Sequence, residues 1–174
     1  MLEYPVYIRM STEGEQPFFE NRSSAEAVIT ALIAAQLDGW MRLHGFIVLP
    51  EALEMVVSPI RQSASGLAAH LQSETIPVLT VLQPDAGLVW AMRHVEIPLT
   101  SERALDARLQ MMLLAPIAYG LADRAEDYPY SSASPRYHAS ASIYSGFAML
   151  LSKEDALAAE VKLRIVSEPL KRLG

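Results

Sequence analysis

RLHGFIVLPEALEMVVSP, from Arg42 to Pro59, reads as two strands folded back on each other at Pro50-Glu51. The first, Leu43 to Leu49, is almost wholly apolar, as a strand buried in the middle of a sheet must be. The second alternates. Leu53, Met55 and Val57 point to one side, and Ala52, Glu54 and Val56 to the other, because successive strand residues face opposite surfaces. A hairpin of this kind needs further strands beside it and helices over it.

Both neighbours are visible on either side. Upstream, YPVYIRMS (Tyr4 to Ser11) is a first strand, followed by the polar loop TEGEQPFF. Ser23-Ser24-Ala25-Glu26 has a capping-box pattern in which Ser23 can accept from the amide of Glu26. Ala25, Val28, Ile29, Leu32 and Ile33 then recur at helical spacing until Asp38-Gly39, predicting a helix over 24–37. Downstream, Pro59 can open a second helix over about 60–73, although Ser63, Ser65 and Gly66 lower its propensity. PVLTVL (Pro77 to Leu82) reads as a short extra strand, and Pro84-Asp85-Ala86-Gly87 as a turn. Leu88 to Val95 forms the next core strand. Thr100 or Ser101 caps a helix over 102–115 with Leu105, Leu109, Met112 and Leu113 on one face, and Pro116 ends or kinks it.

Composition sets bounds on function. A chain of 174 residues with 51% hydrophobic content can build one sizeable core. The expected division is a single folded domain over 1–137, then a Ser/Ala-rich link and a final helix over 138–174 packed on it. No uncharged apolar run reaches eighteen residues, so no membrane span is expected. The start shows no secretory leader, and the absence of cysteine excludes disulfides and fits the cytoplasm. The net charge is -6. Its distribution is sharper: all three lysines lie in the last 22 residues, while residues 1–152 carry nine arginines against sixteen carboxylates, a balance of -7. Between Arg61 and Arg93 there is no Lys or Arg. Such a body argues against gripping phosphates, so no nucleic-acid partner is expected.

The hairpin closely resembles that of the single-tyrosine HUH transposases, particularly the REP-associated type, whose corresponding run is L-H-A-Y-V-L-M-P-N-H-V-H-L-L-L. Leu43-His44 through Pro50 keep the scaffold. A second block, RLQMMLLAPIAYGLADRAEDYPYSS (Arg108 to Ser132), is similar to the family's R-Y-I-H-L-N-P-V-R-A-G-L-V-x-x-P-E-D-Y-P-W-S-S. Pro116, Gly120-Leu121 and Asp127 to Ser132 fix its frame. The first strand looks like the family's Y-H-V-T-x-R, with Ile8 and Thr12 at two polar positions. Trp90 resembles the tryptophan of L-W-Q-G-R-F.

The resemblance implies an α+β fold: a four-stranded antiparallel ferredoxin-like sheet of βαββαβ order, helices on one face, and a further helix towards the C-terminus. It also implies a chemistry. In that family two histidines at i and i+2 hold a divalent metal, with Mg²⁺ expected, and a tyrosine on the last core helix attacks the scissile phosphate of single-stranded DNA. Here the histidine positions fall on Ala52 and Glu54, the nucleophile falls on Met111, and later polar positions fall on Leu113 and Ala115. Alanine offers no ligand atom, and methionine cannot attack phosphate. Glu54 is the one weak metal candidate. No catalytic residue and no cofactor are therefore expected.

Other candidates have plainer readings. His44 reads as a hydrogen-bonded structural histidine. His70 and His94 lack partner spacing, and His138 falls in a loop. Tyr119 lies past Pro116, and Tyr128 and Tyr130 read as aromatics that dock the tail on the sheet. No G-x-S-x-G, P-loop or dinucleotide fingerprint is present. Three functions stand. The first is an inactive transposase relative retained as a binding or structural protein. The second is a residual single-stranded DNA-binding protein or transposase. The third is a ferredoxin-like small-molecule-binding dimer. Loss of polarity at 52, 56, 111, 113 and 115, with Trp90 expected nearby, predicts an apolar open sheet face. A homodimer, or the segment Ile143 to Leu151, is expected to cover it.

Overall fold

A computed structural model describes residues 4–137 and Ser140. Seven elements follow one another: β1 (Val6–Thr12), α1 (Arg22–Leu37), β2 (Met41–Leu49), β3 (Ala52–Pro59), α2 (Ala64–Leu82), β4 (Trp90–Pro98) and α3 (Glu102–Ala118). The strands form one sheet in the order β2-β3-β1-β4, with every neighbouring pair antiparallel. This is the expected βαββαβ ferredoxin-like arrangement with one more helix. His138, the expected link and final helix over 138–174, and the Ile143–Leu151 segment lie outside the described residues.

The alternation of β3 sorts the core into two layers. Leu53, Met55 and Val57 join Ile8, Met10, Leu43, Phe46 and Val48 beneath α1 and α2, which contribute Val28, Ile29, Leu32, Leu67, Leu71 and Leu79. Val56 joins Tyr7, Ile47 and Leu49 on the opposite face, where α3 packs Leu109, Met112 and Leu113. Gly45 permits that second packing. A Cβ built there would lie 2.6 Å from Leu109 Cδ2 and 3.3 Å from Met112 Cε.

Several boundaries differ from the sequence reading. The N-cap of α1 is Asn21, whose side chain accepts from the amide of Ser24 at 3.0 Å. Ser23 lies inside the first turn, because an Asx side chain two residues earlier already serves the free amides. Pro59 closes β3 and does not open α2; Ser63 caps that helix by accepting from the Gly66 amide. The Pro77–Leu82 stretch is not a strand. It is the second half of α2, since Leu71, Thr75 and Leu79 bury one helical face while Pro77 stays exposed. The β-branched residues there are tolerated because packing overrides their local preference. Ser101 caps α3, which runs through the buried Pro116 to Ala118.

The tail after α3 finishes the β2 edge. Val48 N donates to Tyr130 O at 2.8 Å, Ser132 N donates to Phe46 O at 3.0 Å, and Ile47 bridges Ser131. Tyr128 Oη donates to Val48 O at 2.6 Å. DYPYSS therefore docks on the sheet as expected and covers backbone groups that an edge strand leaves free.

Candidate functional site

The candidate site is the sheet face shared by β1 and β3 and roofed by α3. On β1 the alternation places Tyr7 and Arg9 on this face. On β3 it places Ala52, Glu54 and Val56 there, with Arg9 directly opposite Glu54 and Tyr7 opposite Val56. Glu54 is buried, and both carboxylate oxygens are engaged. Oε1 accepts from Tyr7 Oη at 2.5 Å, and Oε2 accepts from Arg9 Nη1 at 2.8 Å. Arg9 also approaches Glu51 Oε1 at 3.7 Å. From α3, the guanidinium of Arg108 lies 4.5 Å from the Tyr7 ring centroid, within cation–π range.

Burial, then the hydrogen bond to Glu54, pushes the Tyr7 hydroxyl well above the usual phenol range, because both disfavour the phenolate. Tyr7 is thus a protonated donor to a carboxylate. The carboxylate is held between that donor and an arginine, as a buried charge requires. This arrangement locks two strands and one helix together. It does not prepare Tyr7 for nucleophilic attack, which needs a lowered pKa or a free base.

The other positions singled out in the sequence are brought only partly together. Ala52 is fully buried, Leu113 is buried, and Ala115 packs against the same apolar cluster. Met111 is 59% exposed on the outer side of α3, since Leu109, Met112 and Leu113 take the inner side. Glu54 is the sole side chain with a ligating atom at the two hairpin positions, and its oxygens serve Tyr7 and Arg9. Among the described residues no cluster of three or more His, Asp or Glu could hold a metal ion. The residues at the hairpin positions do not fit the divalent ion that the resemblance implies.

Two expectations about this face are corrected. Ala52 and Val56 do not line an open patch: both are fully buried, Val56 in the cluster that α3 and the 125–133 segment build over this face. Trp90 does not stand nearby. It is buried beneath α2 on the opposite face, where Nε1 donates to Thr75 Oγ1 at 2.9 Å and the ring meets Phe19 at 5.2 Å.

Three of the four histidines lie within the described residues. His44 is buried at an irregularity in the β2–β3 ladder, with Nε2 2.8 Å from Ser58 Oγ. Burial, with a smaller contribution from Arg42, holds its pKa down at about 4. His70 stacks on Trp40 at 3.8 Å, and His94 pairs with Glu96 at 2.6 Å. Tyr119 is the exposed C-cap of α3. Sequence reading missed Tyr7 and Arg9. Their i, i+2 spacing put them on one strand face, but only the β1–β3 register shows that the face is that of Glu54.

Sheet order, the hairpin and the helix across its second face define a ferredoxin-like α+β fold. The chain has the fold of a REP-associated tyrosine transposase solved bound to a REP hairpin. The two are 13% identical and superpose with a TM-score of 0.63 over 76% of this chain and 78% of that one. A transposase candidate from Deinococcus radiodurans R1 is 10% identical, with a TM-score of 0.49 over 62% of this chain and 88% of that chain. No family model and no curated protein matches the sequence.

Proposed function

We propose that this protein is a catalytically inactive relative of the single-tyrosine transposases, retained as a binding or structural protein. The observation that carries this reading is the engagement of Glu54 by Tyr7 and Arg9 on the face where the resemblance places the metal. A carboxylate recruited to bind Mg²⁺ keeps lone pairs turned to an open coordination sphere. This one is turned to a phenol and a guanidinium. Beside it Ala52 has no donor atom, and at the nucleophile's position Met111 has no attacking oxygen. The acidic body removes the electrostatic attraction on which DNA affinity chiefly rests.

The test is incubation of the protein with labelled, hairpin-bearing single-stranded DNA and Mg²⁺, read on a denaturing gel. We expect neither a cleaved strand nor a covalent protein–DNA adduct. Fluorescence anisotropy on the same DNA should give no affinity tighter than about 10⁻⁴–10⁻⁶ M at physiological salt, the non-specific range. An adduct formed by the wild-type chain overturns inactivity. Submicromolar binding without cleavage would favour the residual DNA-binding reading instead.

A further inference from the structure

The helical layer formed by α1 and α2 is short of charge. Of the 16 residues of α1 and the 19 of α2, only Arg22, Glu26 and Glu74 are Asp, Glu, Lys or Arg. A surface helix normally turns a charged or polar face to water. Here Leu37 is 81% exposed and Val81 79%, with Pro77 and Val78 also in water. At about 3.6 residues per turn, Glu26 and Gln36 mark one flank of α1, and Ala27, Ala31 and Ala34 mark the other. The chain after α3 lies against the first flank, through Arg136 on Glu26 and Ser140 on Gln36, so α2 borders the second. On α2, His70, Glu74, Pro77 and Val81 recur at helical spacing, and His70 stacks on Trp40 just beyond the end of α1. That stripe therefore faces the alanine flank. Small side chains on one helix and a proline and valines on the other leave a valley whose one charged residue is Glu74. An exposed apolar surface of this kind marks a place where something binds.

We propose that the occupant is this chain's own segment Ile143–Leu151, which passes over Leu37 and docks in the valley against Ala31, Ala34, Pro77, Val78 and Val81. The starting point is fixed. Arg136 Nη1 meets Glu26 Oε1 at 3.1 Å near the start of α1, and Ser140 O accepts from Gln36 Nε2 at 2.7 Å in its last turn. Ser140 thus delivers the chain to the end of α1, beside Leu37. The reach is sufficient. The eleven residues from Ser140 to Leu151 can span up to about 36 Å, whereas α1, with 16 residues, is about 24 Å long. The chemistry matches as well. No residue from Ala139 to Ser152 is charged, and IYSGFAMLL is the most apolar part of that run. An uncharged segment and an uncharged valley each gain by leaving water together. The tether decides between this segment and a second copy. A segment joined at Ser140 meets the valley at an effective concentration in the millimolar range, above that of any free chain. The sheet face is not open to it, because α3 already fills that face.

The test replaces Phe147 in the full chain by the photo-crosslinker p-benzoylphenylalanine and maps the products by mass spectrometry. Irradiation should join position 147 to peptides of α1 or α2 within one chain, leaving the product at the monomer mass of 19.2 kDa. Products confined to other elements, products at twice that mass, or no internal product would each overturn the proposal. Chymotrypsin gives a second readout on the unlabelled protein. Cleavage after Tyr144 and Phe147 should be slow in the wild type. Ala34→Glu and Val81→Glu each put an unpaired charge beneath the segment, and should speed that cleavage about tenfold or more. Both side chains stand clear of the core, so neither change disturbs the fold. Met92→Glu, at a 92% exposed position on β4, should be cut at the wild-type rate. Equal rates in all four proteins, or the same acceleration in Met92→Glu, would show that the segment does not lie between the two helices.

Discussion

The hydroxyl of Tyr7 donates to the carboxylate of Glu54 at 2.5 Å across two strands, 47 residues apart in the chain. Arg9, itself only partly buried, holds the other oxygen of the same carboxylate, so both oxygens of the buried Glu54 are engaged within the chain. The three groups link β1, β3 and, through Arg108 over the Tyr7 ring, α3.

Removing these groups should cost unequal amounts. Arg9→Ala leaves a buried carboxylate with only a phenol for company and should destabilise by about 3 kcal/mol. Tyr7→Phe removes one hydrogen bond to a charged group while the arginine remains, and should cost about 1.5–3 kcal/mol. Urea denaturation gives both values, and Glu54→Gln should make the Arg9 change cheaper. An Arg9→Ala protein within experimental error of wild type would show that the network carries no stability.

His44 makes stability pH-dependent. Its folded pKa of about 4 lies below the ordinary 6.5, so the unfolded chain takes up the proton first. Stability from this group is intact above pH 6.5 and declines as pH falls from 6.5 towards 4. The loss levels off below that, at an upper value of about 3 kcal/mol from the size of the shift. Denaturation midpoints at pH 7 and pH 4.5 should differ more for the wild type than for His44→Gln. Parallel slopes for the two proteins would rule His44 out as the source.

The seat of α3 on the sheet depends on Gly45. In Gly45→Ala the new methyl meets Leu109 Cδ2, a side-chain end already enclosed by packing, so Leu109 must leave its rotamer or the helix must lift. Overpacking of this kind costs about 1–3 kcal/mol. Combining it with Leu109→Ala should cost less than the two single changes added together, because the truncation makes room for the methyl. Strict additivity in a double-mutant cycle would mean that the two residues do not compete for the same space.

The tail should behave as part of the sheet. Tyr128→Phe leaves the buried carbonyl of Val48 without its phenol donor, a loss of about 1–3 kcal/mol. It should also loosen the neighbouring bond from Val48 N to Tyr130 O. Hydrogen exchange read at the Val48 amide should therefore accelerate well beyond the amides of α1. Unchanged exchange at Val48 would place the anchoring of the tail elsewhere.

The hairpin was legible in the sequence because its physics is local. An apolar run, Pro50-Glu51, and a strict alternation placed Leu53, Met55 and Val57 under the helices and Ala52, Glu54 and Val56 on the other face. The same reasoning located α1, β4 and α3 to within a few residues, and the family-like blocks gave the strand order. Pro77–Leu82 was misread because its residue types favour a strand, while burial of Leu71, Thr75 and Leu79 on one side holds it in α2. Tertiary structure alone decided what Glu54 does. Whether a carboxylate at that position binds a metal, meets water or pairs internally depends on what stands across the sheet. Tyr7 and Arg9 come from 47 and 45 residues away, and α3, packed close over Gly45, buries a face that composition made look open. Alternation along one strand is fixed by the sequence, but contact between strands and helices is fixed only when the chain has closed around them.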